Sequence, residues 1–372
     1  MTDNLLRTPA EVLERLERGS LDGCLVTDVD LSKKGLKNAR AADVTLRRVG
    51  LHNADVTSGD FSRTKFTESS CRGVRFSKSY FRGCSFFGSE LIEASFDDTL
   101  LNGTSFYTTR LGNADFSGSR LQGCTFNTCE LFGVKFNRSL LINTKFEAQD
   151  RGNVTLDRAD FTNAVLIDCD LLGANLFGAN FENALLIKVD LRHANLAQAN
   201  FKGARLVDVQ LSMAQLEPSE QRQIQAALVE DPWRQQGFMA DVLDKYSVSE
   251  LSLVLEMLMR TYVIEGAQPT AGSDSFAGIL ANLKASHDFP ELDHLRVKGT
   301  AVQVRMGHTW TEIGSDVPAA MALAPPHGAT PEPSGEAGAR PLEPGPAETR
   351  PTPPPAPRNV KKSKRFRKLE MD

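Results

Sequence analysis

This sequence lacks most of the marks of a membrane protein, a disulfide-held secreted domain or an enzyme. No apolar run approaches the roughly 18 residues of a membrane span, and the opening MTDNLLRTPAEVLERLERG has no apolar signal core. A cytoplasmic protein without a transmembrane segment is therefore expected. Six cysteines among 372 residues do not make a disulfide framework. Phosphate-cradling glycine signatures are absent. The formal net charge of −4 is unevenly spread. Residues 217–300 are acidic, the last dozen carry KKSKRFRK, and the long stretch before residue 217 is close to neutral.

What the chain does have is a period. In LLGANLFGANFENALLIKVDL, Leu171 to Leu191, a large apolar residue returns at every fifth place. Amphipathic helices repeat every three or four residues and half-buried strands every two, so neither accounts for it. Stepping by fives from Leu31 to Leu216, Leu or Phe stands at nearly every stop, with Ala41, Val56, Cys71 and Arg151 as deviations. Two residues before each stop sits a small side chain, as in Ala159, Ala164, Cys169 and Ala174, which marks a second inward position. The other three places of each five carry nearly all the charge and read as solvated surface.

The pattern in ADFTN, ANLFG, ANFEN, ANLAQ and ANFKG resembles the pentapeptide repeat family. The resemblance implies a mainly β fold, a right-handed quadrilateral β-helix in which four fives make one square coil and Leu or Phe fills the axis. Columns of residues twenty apart agree with four fives per coil. Phe66, Phe86, Phe106, Phe126 and Phe146 form one column and Phe76, Phe96, Phe116 and Phe136 another, with Leu91, Leu111, Leu131 and Leu101, Leu121, Leu141 between them. Arg151 would place an unpaired guanidinium on the axis, at a cost of several kcal/mol. A five-residue bulge at 148–152 removes it and sets Phe161 on Phe136 instead of on Leu141. That loop, with Gln149, Asp150 and Arg151, is the expected recognition feature of the rod.

Thr8-Pro9-Ala10-Glu11 reads as a capping box and predicts a helix over 8–18 within an N-terminal cap of residues 1–20. The β-helix then spans 21–216. Cys24, Cys84, Cys124, Cys129 and Cys169 fall on the small inward position and Cys71 on the central one, where they read as buried structural thiols. Cys124 and Cys129 give only a weak metal signal without nearby histidines.

Residues 217–313 are expected to form an α-rich domain, with helices in SEQRQIQAAL, WRQQGFMADVLDKY and LSLVLEMLMRTYVI, a helix over 276–284, and a strand or hairpin over 295–305. The helix 249–264 carries two apolar stripes. Leu251, Val254, Leu255, Leu258 and Tyr262 make one; Leu253, Met257 and Ile264 make the other. It is a core helix or, through Leu253 and Met257, a homodimer contact. Residues 314–357, rich in Pro, Ala and Gly, read as a disordered linker. Residues 358–372 are a basic tail in which Lys361, Lys362, Lys364, Arg365, Phe366, Arg367 and Lys368 are candidates for a nucleic acid, an anionic membrane surface or an acidic partner.

No residue set joins a nucleophile, base and orienting group. Asp115, Asp160, Asp170 and Asp190 precede central residues and point outward, solvated or bonded to corners, as do His52 and His193. The best metal-like cluster is His287, Asp288, Asp293 and His294, split by a proline that argues for a turn. No cofactor is expected. The expected function is a non-enzymatic scaffold that offers its rod to a protein partner, with the C-terminal helices as a second contact. The resemblance implies an alternative, because some family members imitate duplex DNA and shield type II topoisomerases such as gyrase from inhibitors. Such mimicry calls for an acidic flank. The repeats here are balanced, and their first part, with Lys33, Lys34, Lys37, Arg40, Arg47 and Arg48, is basic.

Overall fold

The computed structural model describes residues 4–147 and 154–229, together with the backbone of three strands, Leu295–Lys298, Ala301–Met306 and Thr309–Gly314. What turns the chain every five residues is a left-handed backbone at each corner, two places after each central residue. Asp28, Lys33, Asn38, Asp43 and Arg48 begin the series, with φ between 51° and 61°. This conformation costs an L-residue about 1–2 kcal/mol, least for Asn and Asp and nothing for Gly. Gly73 meets a further constraint: besides its φ of 63°, a Cβ there would lie 2.3 Å from Asn53 Oδ1 of the preceding coil.

Four such corners close one coil, and twenty-residue neighbours pair in parallel. Phe106 pairs with Phe86 and Phe126, and Leu121 with Leu101 and Leu141. One side, named here for Phe126, is an eight-stranded sheet; the side of Leu141 is a ten-stranded one. The sides of Leu131 and Phe136 are joined by single bridges, such as Glu90 to Arg110 and Asp115 to Lys135. The fold is thus a mainly β parallel solenoid with a short helix at each end.

The core is one ring deep. Phe86, Phe106 and Phe126 stack at 5.0 and 4.8 Å with nearly parallel planes, and Phe96 meets Phe106 edge to face from the opposite side at 6.1 Å and 88°. The Leu141 side is not Leu-lined throughout. Near the N-terminus it carries Phe61 and Phe81, stacked at 4.9 Å, and the facing column holds fully buried Cys71. A small residue opposite two large ones keeps the interior filled at constant width.

The register jumps once. Phe136 pairs its coil with Phe161, Leu141 with Leu166, and Lys145 with Asp170, an offset of twenty-five in place of twenty. The five extra residues therefore lie between Glu147 and Val154, at the corner joining the Phe126 and Leu131 sides. This is the offset that the Phe columns require.

Both ends of the solenoid are plugged. At the start, α1 (Pro9–Glu17) opens with the expected capping box: Glu11 N–H donates to Thr8 Oγ1 at 3.3 Å, and the Glu11 carboxylate accepts from Thr8 N–H at 3.1 Å. Its Val12 is completely buried. A short strand, Leu5–Leu6, precedes it and pairs with Leu25–Val26, an element that the sequence pattern does not announce. At the far end α2 (Pro218–Ala227) buries Ile224 and Ala227 against the last coil, and its Gln223 side chain accepts from Phe201 N–H at 2.8 Å. Leu228–Val229 then rejoins the Leu141 side beside Leu206–Val207. The three later strands form an antiparallel sheet, so the expected hairpin gains a third strand. The helices expected over 233–246, 249–264 and 276–284, the linker and the tail lie outside the described residues.

Candidate functional site

The outward residues of the solenoid fall into rows along its length, because each coil repeats the one below. Charges in these rows pair between coils. Arg48 donates two hydrogen bonds to Asp28, at 2.7 and 2.8 Å, and Arg63 two to Asp43, at 2.7 and 2.6 Å. Arg110 sits between Glu90 and Glu130, at 3.6 and 3.3 Å. The Arg48 and Arg63 guanidinium groups hold the Asp28 and Asp43 carboxyls below the usual range. These pairs are exposed and contribute little to stability; their effect is to cancel charge, so no unbroken acidic flank forms along them.

The repeat aspartates brace corners. Asp115, Asp160, Asp170 and Asp190 each accept from the backbone N–H two residues on, at 2.9–3.0 Å. Asn195 and Asn200 donate to Asn175 and Asn180 of the coil below, at 3.0 Å each, in amide ladders. All six cysteines are buried and unbridged, and burial pushes the Cys71, Cys124, Cys129 and Cys169 thiols up to about 12. Among the described residues no three metal-ligating side chains converge, and no helix is long and apolar enough to cross a membrane.

Two apolar features stand out on this polar surface. The first is a row of outward residues on the Phe126 side: Phe87, Tyr107, Asn127 and Glu147 lie in register. Phe87 is 52% exposed and Tyr107 37%. The row runs up to Glu147, where the five-residue insertion begins. On the adjoining side Phe132 is 46% exposed, with the Arg158 guanidinium 5.9 Å from its ring centre.

The second feature corrects the expectation that the three outward places are solvated. On the Leu141 side, Leu140–Ile142, Val165–Ile167, Leu185–Ile187 and Arg205–Val207 are adjacent strands, and their outward positions are mostly aliphatic. Ile167, Ile187 and Val207 are 0% exposed. The corresponding Leu172 on the Phe126 side is 47% exposed. The signal was present in LLI, VLI, LLI and RLV, which replace charge with aliphatics at outward places.

Of the residues singled out from sequence, Gln149, Asp150, Arg151, Leu253, Met257 and the tail from Lys361 to Lys368 lie outside the described residues, as does the cluster His287, Asp288, Asp293 and His294. Glu147 and Val154, which flank the first three, are placed.

Residues 60–136 match the family described as pentapeptide repeat region, and residues 153–183 and 184–217 match pentapeptide repeats. The solenoid belongs to the pentapeptide repeat family. The matches break between 136 and 153, across the change of register. Among solved structures, HetL of the cyanobacterium Nostoc sp. strain PCC 7120, a pentapeptide repeat protein involved in heterocyst differentiation regulation, is 20% identical; the alignment covers 56% of this chain and 94% of that one, with a TM-score of 0.29. Full-length QnrB1, a plasmid-mediated fluoroquinolone resistance protein, is 17% identical over 54% of this chain and 98% of that one, with a TM-score of 0.28. At these values the likeness carries no function with it. No curated protein matches.

Proposed function

We propose that this protein acts by binding a protein partner along the corner row of the solenoid that contains Phe87 and Tyr107, and that a type II topoisomerase is the partner class to test first. The observation that carries the binding site is the pair of exposed aromatics, Phe87 and Tyr107, in register on neighbouring strands. Aromatic residues are enriched at the buried centres of interfaces, whereas charged rims contribute mainly to orientation. The choice of partner rests on family membership, since members of this family that imitate DNA bind such enzymes. Cross-coil pairing of Arg with Asp and Glu makes this surface a mixed one, so recognition here depends on shape and aromatics more than on a field of negative charge.

The test is a gyrase supercoiling assay with a fluoroquinolone, using the full-length chain and a Phe87→Ser/Tyr107→Ser variant. Restored supercoiling by the wild type and its loss in the variant are expected. A wild type that neither binds nor protects gyrase removes the topoisomerase reading. Equal protection by the aromatic and serine forms removes the site.

A further inference from the structure

The outward row that holds Phe87 and Tyr107 does not begin with them. In register across neighbouring strands it reads Thr27, Arg47, Thr67, Phe87 and Tyr107, and Arg7, one place beyond Leu6 as Thr27 is beyond Val26, extends it to the start of the solenoid. There the Phe126 side is hollowed into a cleft of about 600 Å³. Arg7 and Arg47 line one flank of it, and Leu5 and Leu25, 36% and 41% exposed, line the other. The two flanks are the outward places after and before the central residue, so they lie two residues apart along each strand, ~7 Å. The acids around the cleft are already engaged. Asp28 accepts two hydrogen bonds from Arg48, at 2.7 and 2.8 Å, and a third from Thr27 Oγ1 at 2.9 Å. The Glu11 carboxylate accepts from the backbone N–H groups of Arg7 and Thr8, at 2.7 and 3.1 Å. Among the described residues neither the Arg7 nor the Arg47 guanidinium forms a salt bridge or a side-chain hydrogen bond. Two guanidinium groups without a carboxylate therefore share one cleft with two exposed leucines.

We propose that this cleft binds an extended acidic segment of a partner protein, with an apolar side chain over Leu5 and Leu25 and, two residues on, an Asp or Glu carboxylate between Arg7 and Arg47. An extended chain places residues i and i+2 on one face about 7 Å apart, which is the separation of the two flanks. Guanidinium groups take carboxylates through paired, charge-assisted hydrogen bonds. Free phosphate would satisfy the arginines and leave the leucines in water, and an uncharged apolar segment would leave the arginines unmatched; an acidic residue two places from an apolar one serves both flanks. Only two strand steps, about 10 Å, separate Arg47 from Phe87, so one contact surface covers the cleft and the aromatics. That the segment belongs to the protein bound by Phe87 and Tyr107 rests on the proposed partner contact, whereas the chemistry of the cleft does not.

Photolabelling of the full-length protein tests this. The probe is a blocked five-residue peptide, Thr-photoleucine-Thr-Glu-Thr, and its control carries Gln in place of Glu. Saturable labelling of the strands that hold Leu5, Leu25 and Thr45 is expected, with an apparent affinity about tenfold or more weaker for the Gln control and for an Arg7→Gln/Arg47→Gln variant. Both arginines are exposed, so that variant keeps its core. No saturable labelling of these strands up to about 1 mM probe, labelling confined to the basic tail, or equal affinity for the Glu and Gln peptides overturns the site. Competition by inorganic phosphate as strong as that of the unlabelled Glu peptide also overturns it, by reassigning the cleft to a small anion. The Phe87→Ser/Tyr107→Ser variant should be labelled as the wild type is, so failure of the aromatic row in the gyrase assay and failure of this cleft are read separately.

Discussion

Phe161 stacks on Phe136 with ring centroids 5.2 Å apart and planes 15° from parallel, although twenty-five residues separate them. Elsewhere the stacked partners, such as Phe116 on Phe96 at 4.7 Å, are twenty apart. The column is continuous in space and interrupted in sequence, so the column itself does not need the five extra residues. Deleting residues 148–152 restores the twenty-residue spacing and should leave the fold intact. Shortening a connection by five residues changes its closure entropy by only a fraction of a kcal/mol. Deleting Asn113–Ser117 instead shifts every later column by one side, sets phenylalanines over leucines and should abolish cooperative folding. Thermal melts of the two deletion variants check this, and equal damage from both would show that the insertion is structural.

Cys71 and Phe81 offer a second test, since the small residue faces the side that carries Phe61 and Phe81. Cys71→Leu overfills the coil and should cost about 1–3 kcal/mol. Phe81→Leu leaves a gap and should cost about as much. Together they recreate the Leu-opposite-Leu arrangement of Leu91 and Leu101, so the double variant should be less damaged than the sum of the two by about 1 kcal/mol or more. Urea unfolding of the four proteins measures the coupling. Strict additivity would mean that the two side chains do not share a filled width.

The tail supplies a third expectation. Six Lys and Arg residues between Lys361 and Lys368 should hold a polyanion by charge, so binding to heparin or to anionic vesicles should fall steeply with added salt and disappear on removing residues 358–372. Salt-insensitive retention after that truncation would assign the contact to another surface.

The solenoid is legible in the sequence because its central residues are set by geometry. Each column repeats every twenty, so even the change of register can be read from where Phe161, Phe181 and Phe201 have to stand. The corners are less legible. Lys33, Arg48 and Arg63 take a left-handed backbone that their residue types do not favour, and only closure of the coil imposes it. The strand Leu5–Leu6 is too short to carry a period of its own. The outer aliphatic band escapes the pattern for a different reason. Charge at most outward places makes all three look like one solvated class, whereas Ile167, Ile187 and Val207 are fully buried there. Periodicity reports which residues face the axis, and it is silent on what lies over the outside.

The buried thiols yield a pH dependence with a definite sign. In the unfolded chain a thiol ionises near its ordinary value of 9.0; in the fold, burial pushes Cys124 to about 12 and Cys84 to about 11. The folded-state value is raised, so the stabilisation is complete below pH 9.0 and is lost as pH rises from there toward the folded values. In the limit each such thiol costs about 1.4 kcal/mol per pH unit over that window. Tyrosine and lysine titrate in the same range, so the comparison needs an internal control, and the fold contains one. Thr64, Cys84, Thr104, Cys124, Thr144 and Cys169 occupy one inward column. Thr144 Oγ1 donates to Leu121 O at 3.5 Å just as Cys124 Sγ donates to Leu101 O at 3.6 Å. Cys124→Thr should therefore be tolerated at neutral pH and should lose less stability than the wild type between about pH 8 and pH 10.5. Urea unfolding at several pH values in the presence of a reductant measures the difference. Parallel pH profiles for the two proteins would mean that Cys124 ionises equally in the folded and unfolded chain, and the buried-thiol account of the pH dependence would fall.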